Sequence, residues 1–262
     1  MAKLKWLVIA STFVIVNTST AAIVASYVTS FQVPIGGARA RTCQGITYYG
    51  NYFYLVDCFN WDTGNPRILK LTSAGSIVEE KNAPAYFRDN EQNPLSCNKG
   101  LTYDGTYFWM TEVDGKGVYY KFLPDTQSII ASFDTPNQHP REITWDGAYL
   151  WEVDCITGIV YKLTTAGSVA DSFQATKTAN ERFFGLAYDP GSGYIYVGKY
   201  GKNDGFLCYD SNKNPLGFAA MPAGPGTAPF RHPLGMTSFE EDRIWTVDAN
   251  TDSFVKIRIL FQ

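Results

Sequence analysis

One segment of this chain returns five times. It reads GITYYGNYFYLVD from Gly45, GLTYDGTYFWMTEVD from Gly100, EITWDGAYLWEVD from Glu142, GLAYDPGSGYIYVGKY from Gly185 and GMTSFEEDRIWTVD from Gly235. The aliphatic residue in second place (Ile46, Leu101, Ile143, Leu186, Met236) recurs about every 42 to 55 residues, the length of a unit that must stack on its neighbours to bury an apolar face.

Each copy has the same internal order. A short strand, such as Leu101 to Tyr103, meets a tight turn, Asp104-Gly105 or Asp146-Gly147, where positive φ is tolerated. An aromatic strand follows, as in Tyr107 to Thr111 and Tyr149 to Val153. A polar loop leads to a third strand: Arg67 to Leu71, Val118 to Phe122, Ile159 to Leu163, Gly205 to Tyr209 and Phe254 to Ile259. Four copies add a fourth strand, at Ser76 to Glu80, Ser128 to Phe133, Ser168 to Phe173 and Pro215 to Ala219. Regular turns without helical periodicity give an all-β repeat.

The fifth copy stops after its third strand. The missing strand lies at the other end of the chain, where IVASYVTSFQV (Ile23 to Val33) resembles IIASF (Ile129 to Phe133) and VADSF (Val169 to Phe173). If that strand completes the last unit, the ring closes and no long edge is left exposed. The expectation is a β-propeller of about five four-stranded blades, its last blade closed by the N-terminal strand, with an open solenoid or a β-sandwich as the alternatives. Residues 23–262 then form a single domain.

Aromatic residues at 15% of the 262-residue chain suit strands, and a net charge of −3 gives no basic field for nucleic acid. Lys3 and Lys5, the apolar run Trp6 to Val16 and a small polar stretch to Ala22 follow the order of a secretory signal peptide. Residues 1–22 are therefore expected to be a signal peptide cleaved near Ala21 or Ala22, or else an uncleaved anchor. The mature chain is expected outside the cell or at its surface, with no later membrane span. Five cysteines fit an oxidising compartment. Cys43, Cys58, Cys97 and Cys155 flank strands on one face and are the disulfide candidates. Cys43–Cys58 and Cys58–Cys97 are both open, because spacing alone does not choose. Cys208, inside a third strand, reads as a buried free thiol.

The loops entering first strands and leaving second strands share one face of a propeller. Arg41, Lys99, Arg141, Arg182 and Arg231 precede the repeats, with His139 and His232 among them; Asp57, Glu112, Asp154, Lys199 and Asp248 end the second strands. Convergent polar groups in a concavity make this the expected binding face. Lys199 is the break in the acidic pattern, placed either to contact a ligand or to pair with a neighbouring acid such as Asp154. The acids could hold Ca²⁺ or Mg²⁺ in the channel through oxygen ligands, but the spacings form no metal-binding motif, so no cofactor is expected. Trp61, in the polar loop Phe59 to Pro66, is an aromatic placed for a partner. Trp109, Trp151 and Trp245 share one register and read as packing between blades.

GLTYDGTYFWMTE followed by VYYKF resembles the repeat of the NHL, SMP-30 and streptogramin-lyase-like propellers, as do KLTSAGSIVEE (Lys70 to Glu80) and KLTTAGSVADSF (Lys162 to Phe173). The resemblance implies a fold rather than an activity. Streptogramin lyases, which share the W-x-T-E piece seen at Trp109 to Glu112, have seven blades and depend on a His with Mg²⁺, whereas this chain has five repeats and only two His. Gln44-Gly45-Ile46 is similar to the opening of the secreted five-bladed glutaminyl cyclases, whose glutamate in the next strand falls on Leu55 here. The first expectation is an extracellular binding or scaffold module for a protein or carbohydrate. A lyase or hydrolase with an acid and base ring at the channel mouth, and a surface assembly subunit exchanging its N-terminal strand, are the alternatives.

Overall fold

The computed structural model describes residues 22–32, 43–57, 66–84, 98–112, 117–225, 230–248, 250–251 and 253–262. They form a five-bladed β-propeller of four-stranded antiparallel sheets. Blade 1 holds β2 (Cys43–Tyr49), β3 (Tyr52–Asp57), β4 (Arg67–Leu71) and β5 (Ile77–Asn82). Blade 2 holds β6 (Asn98–Tyr103), β7 (Phe108–Glu112), β8 (Val118–Phe122) and β9 (Ile129–Asp134). Blade 3 runs through β10 (Pro140–Trp145), β11 (Leu150–Asp154), β12 (Ile159–Leu163) and β13 (Val169–Gln174). Blade 4 runs through β14 (Arg182–Tyr188), β15 (Ile195–Tyr200), β16 (Gly205–Tyr209) and β17 (Pro215–Ala220). Blade 5 takes β18 (Pro233–Glu240), β19 (Arg243–Asp248) and β20 (Ser253–Phe261) from the C-terminus and β1 (Ile23–Gln32) from the N-terminus.

The expected closure is therefore present: β1 pairs with β20 from Ile23 opposite Phe261 to Gln32 opposite Ser253. Phe31 anchors it, stacking on Phe254 with ring centroids 5.0 Å apart and meeting Trp245 at 5.7 Å. The outer strands β5, β9 and β13 start one residue later than their sequence pattern, because Ser76, Ser128 and Ser168 close the preceding turns with their carbonyls.

The Asp-Gly turns also differ in one respect. Only the glycines take positive φ, Gly105 at 98° and Gly147 at 97°, the pattern of a type II′ turn. The aspartate contributes its side chain instead. Asp104 accepts from the Thr106 and Tyr107 N–H groups and, at 2.7 Å, from Trp109 Nε1; Asp146 does the same for Ala148, Tyr149 and Trp151. The turn thus fixes the ring that packs against the next blade. Trp109 is buried among Ile143, Leu150 and Leu163 of blade 3, and Trp245 lies 4.8 Å from Phe53 of blade 1. Among the described residues no helix is long and apolar enough to cross a membrane.

Candidate functional site at the loop face

The inner strands crowd the axis. A Cβ on Gly235 would lie 2.1 Å from the Gln44 carbonyl oxygen, and one on Gly45 would lie 2.3 Å from that of Lys99. Blade 3 carries Glu142 in this glycine slot. Its carboxyl points onto the axis, and Oε1 accepts from the N–H groups of Leu101 at 3.1 Å and Ile143 at 3.2 Å. Burial drives its pKa well above the carboxylate range, against the pull of the Ile143, Leu101 and Met236 N–H groups and of Arg141. One side chain thereby ties blades 2, 3 and 5 across the channel.

Above it, contacts cross the channel mouth. Arg141 donates to Gln44 Oε1 and lies 4.5 Å over the Phe184 ring. Phe184 stacks on Tyr200 at 5.6 Å, and Tyr200 meets His232 edge-on at 4.3 Å. This arc joins blades 1, 3, 4 and 5.

The second-strand ends are occupied locally. Asp57 is paired with Arg67 at 2.9 Å. Glu112 is buried beside the Tyr120 hydroxyl. Asp154 accepts from Ile156 and Thr157 N–H, closing its own loop. Asp248 accepts from Arg231 N–H at 2.5 Å and Thr251 N–H at 2.8 Å, and burial raises its pKa. Lys199 is paired with Glu181 at 2.6 Å, not with Asp154, and its ammonium sits 4.6 Å from the Phe218 ring centroid. Burial works to raise the Glu181 pKa, but the Lys199 ammonium and the Thr178 groups override it and hold it low. Arg182 donates to the Glu181 carbonyl. His139 contributes its backbone, with its N–H on Asn137 and its carbonyl on Cys155 N–H. Lys99 is half-buried on β6. Arg41 and Trp61 lie outside the described residues.

Two of the sequence candidates, Arg231 and His232, meet in a cavity of about 690 Å³. It opens on the loop face at the junction of blades 4 and 5, with Tyr200, Lys202, Asp204 and Phe218 also in its walls. Asp204 is held by backbone, accepting from Gly201 N–H at 2.9 Å and His232 N–H at 3.2 Å. His232 adopts φ of 55°, a left-handed conformation uncommon outside glycine, to present its ring there.

A second buried acid escaped the pattern reading. Glu152 stands in blade 3 where Leu55, Met110, Val197 and Thr246 stand in the others. Its Oε2 accepts from Asn137 Nδ2 at 2.8 Å and the Tyr119 hydroxyl at 3.1 Å, and burial pushes its pKa up to about 8. Both Glu142 and Glu152 were detectable as departures from a repeat, as Lys199 was.

No disulfide joins two of the described cysteines. Of the disulfide candidates, Cys155 is an unbridged thiol, Cys43 is buried at the start of β2, and Cys58 and Cys97 lie outside the described residues. Cys208 is the buried free thiol expected, its pKa raised by burial to about 12. Among the described residues no group of three or more His, Cys, Asp or Glu side chains converges on a metal-sized point.

No family model and no curated protein sequence matches the chain. The solved structures are similar at the level of fold. Myxococcus xanthus glutaminyl cyclase superposes with a TM-score of 0.67 at 13% identity, over 92% of this chain and 99% of that one. Regucalcin from Agrobacterium tumefaciens, a calcium-binding protein, gives 0.57 at 11% identity over 90% and 94%. A chain of a nidogen/laminin complex gives 0.56 at 15% identity over 90% and 89%. The resemblance to SMP-30-like and cyclase propellers read from the repeats is thus a resemblance of fold.

Proposed function

We propose that this protein is a secreted β-propeller acting as an extracellular binding module that holds a protein or glycan partner on its loop face. The cavity between blades 4 and 5 carries this reading. It is open, it is lined by two of the sequence candidates, and the channel beside it is crossed by Glu142 and by the Arg141–Phe184–Tyr200 contacts. Concave surfaces with a few convergent polar groups are where ligands gather. Secretion is compatible with this architecture, because cleavage near Ala22 leaves β1 whole and the ring closed.

The test is a glycan and extracellular-protein array probed with the mature chain and with Ala220→Trp, which fills the cavity from the end of β17. Selective binding lost in the variant supports the reading. Binding unaffected by the variant moves the site elsewhere on the propeller.

The enzyme reading has one observation in its favour. Glu152 occupies in blade 3 the register at which the cyclases carry a glutamate in their first repeat, and a pKa of about 8 suits a proton donor near neutrality. Glu152 is, however, wholly buried. Turnover of an amino-terminal glutaminyl peptide, abolished by Glu152→Gln, would favour it over the binding module.

A further inference from the structure

Most of the lysines and arginines among the described residues already have a task. Lys70, Lys121, Lys162 and Lys256 lie over the aromatic rings of their own blades. Arg67, Lys81, Lys199, Lys213 and Arg243 are ion-paired. Arg141, Lys177 and Arg182 donate to oxygens. The side chains of Lys99, Lys202, Arg231 and Arg258 are left with no hydrogen bond, ion pair or ring contact among the described residues. Two of these, Lys202 and Arg231, line the same cavity.

Asp204, the one carboxylate among the described residues of the cavity wall, is already engaged by two backbone N–H groups and by His232, whose Nε2 lies 3.6 Å away. With Lys202 and Arg231 set against Asp204, the described wall of the cavity carries a net positive charge. Its walls alternate that charge with ring surface from Tyr200 and Phe218 and with the amide of Asn203. A sugar acid has the matching parts: a carboxylate, an apolar ring face and a hydroxyl edge. The size argues the same way. About 690 Å³ lies within the span of small-ligand clefts, roughly 300–1,000 Å³. A protein partner would instead need a patch of roughly 800 Å² on each side.

We infer that the cavity between blades 4 and 5 is a receptor for the carboxylated sugar units of an acidic polysaccharide, with Lys202 and Arg231 as the carboxylate-binding pair. The inference rests on the binding-module reading and names its ligand class.

The probes are trigalacturonate and its methyl ester, which differ in charge and hardly in shape, titrated calorimetrically into the mature chain. Trigalacturonate should bind at least tenfold more tightly than the ester, and more weakly as salt is raised from 50 to 300 mM, about the range over which exposed charges become screened. Lys202→Ala/Arg231→Ala should remove the preference for the acid; both residues are exposed, so the fold is expected to be retained and its melting temperature is measured alongside. Equal binding of acid and ester, lost in Ala220→Trp, would overturn the anionic ligand and keep the module. Binding of neither probe, or acid binding that survives the double substitution, would overturn the inference itself. An acidic peptide that binds where trigalacturonate does not would assign the same cations to a protein partner.

Discussion

The Glu142 carboxyl of blade 3 accepts the Leu101 N–H of blade 2 at 3.1 Å on the propeller axis, in a slot that the other blades give to glycine. An inner strand has an unpaired edge facing the channel, and here one side chain supplies its acceptor. Glu142→Gly restores the repeat but leaves the buried Leu101 and Ile143 N–H groups unpaired. The loss should be about 1–3 kcal/mol, read from urea midpoints. A small carboxylic acid is expected to re-enter the vacated slot, so acetate should restore stability to the variant and not to the parent chain. Burial raises the Glu142 pKa, so the slot favours the protonated acid and rescue should be stronger at pH 5 than at pH 8.

Glu152 predicts a second pH effect. Its pKa is about 8 in the folded chain against an ordinary 4.5, so the folded state holds a proton that the unfolded state has released between those values. Its stabilising contribution is complete below about pH 4.5 and is lost as the pH rises through about 8. Denaturant midpoints should therefore fall between pH 5 and pH 8. Glu152→Gln, which keeps an acceptor for Asn137 and Tyr119 but cannot ionise, should flatten that slope. A slope that survives the substitution would reassign it to another buried acid, Asp248 or Glu142.

The fold was more legible than the site, for a physical reason. Strand order, the limits of four of the five third strands and closure by the N-terminal strand depend on local alternation and turn chemistry, which repeat from copy to copy; the fifth third strand, expected at Phe254 to Ile259, runs Ser253–Phe261 because it pairs along the whole of β1. Site contacts depend on which loops the closed ring brings together. Arg141 and Gln44 are 97 residues apart and meet only because blades 1 and 3 face one channel. Lys199 was conspicuous as a departure from the acidic pattern. Its partner, Glu181, lies in the loop before β14, beyond the reach of a comparison between strand ends. Glu142 and Glu152 were equally visible as substitutions, but a glutamate in a glycine or leucine slot shows its role only when the slot is known to be the axis or the blade interior.

The Lys199–Glu181 pair gives a prediction by subtraction. Both groups are nearly buried and meet at 2.6 Å. Removing one partner strands a charge, so Lys199→Met should cost about 3–5 kcal/mol. Lys199→Met/Glu181→Gln removes both charges and should recover much of that loss, measured as a double-mutant cycle of urea midpoints. If the single substitution is neutral, Glu181 has taken another partner and the pair is not what seats Lys199 over Phe218.

Closure by β1 can be tested on its two faces. Phe31 points inward onto Phe254, Trp245 and Phe53, so it spans the seam between blade 5 and blade 1. Val24 lies on the same strand but is exposed. Phe31→Ala removes ring contacts that only the closed ring provides and should destabilise by about 3 kcal/mol. Val24→Thr keeps the β-branched shape at a solvated position and should stay within about 0.5 kcal/mol of the parent. Both proteins should sediment as the parent does, because β1 already pairs with its own β20 over its whole length. If Phe31→Ala instead shifts the chain to concentration-dependent dimers, the terminal strand has left its own blade for that of a second copy, and the seam rather than the loop face becomes the place where this propeller meets its partner.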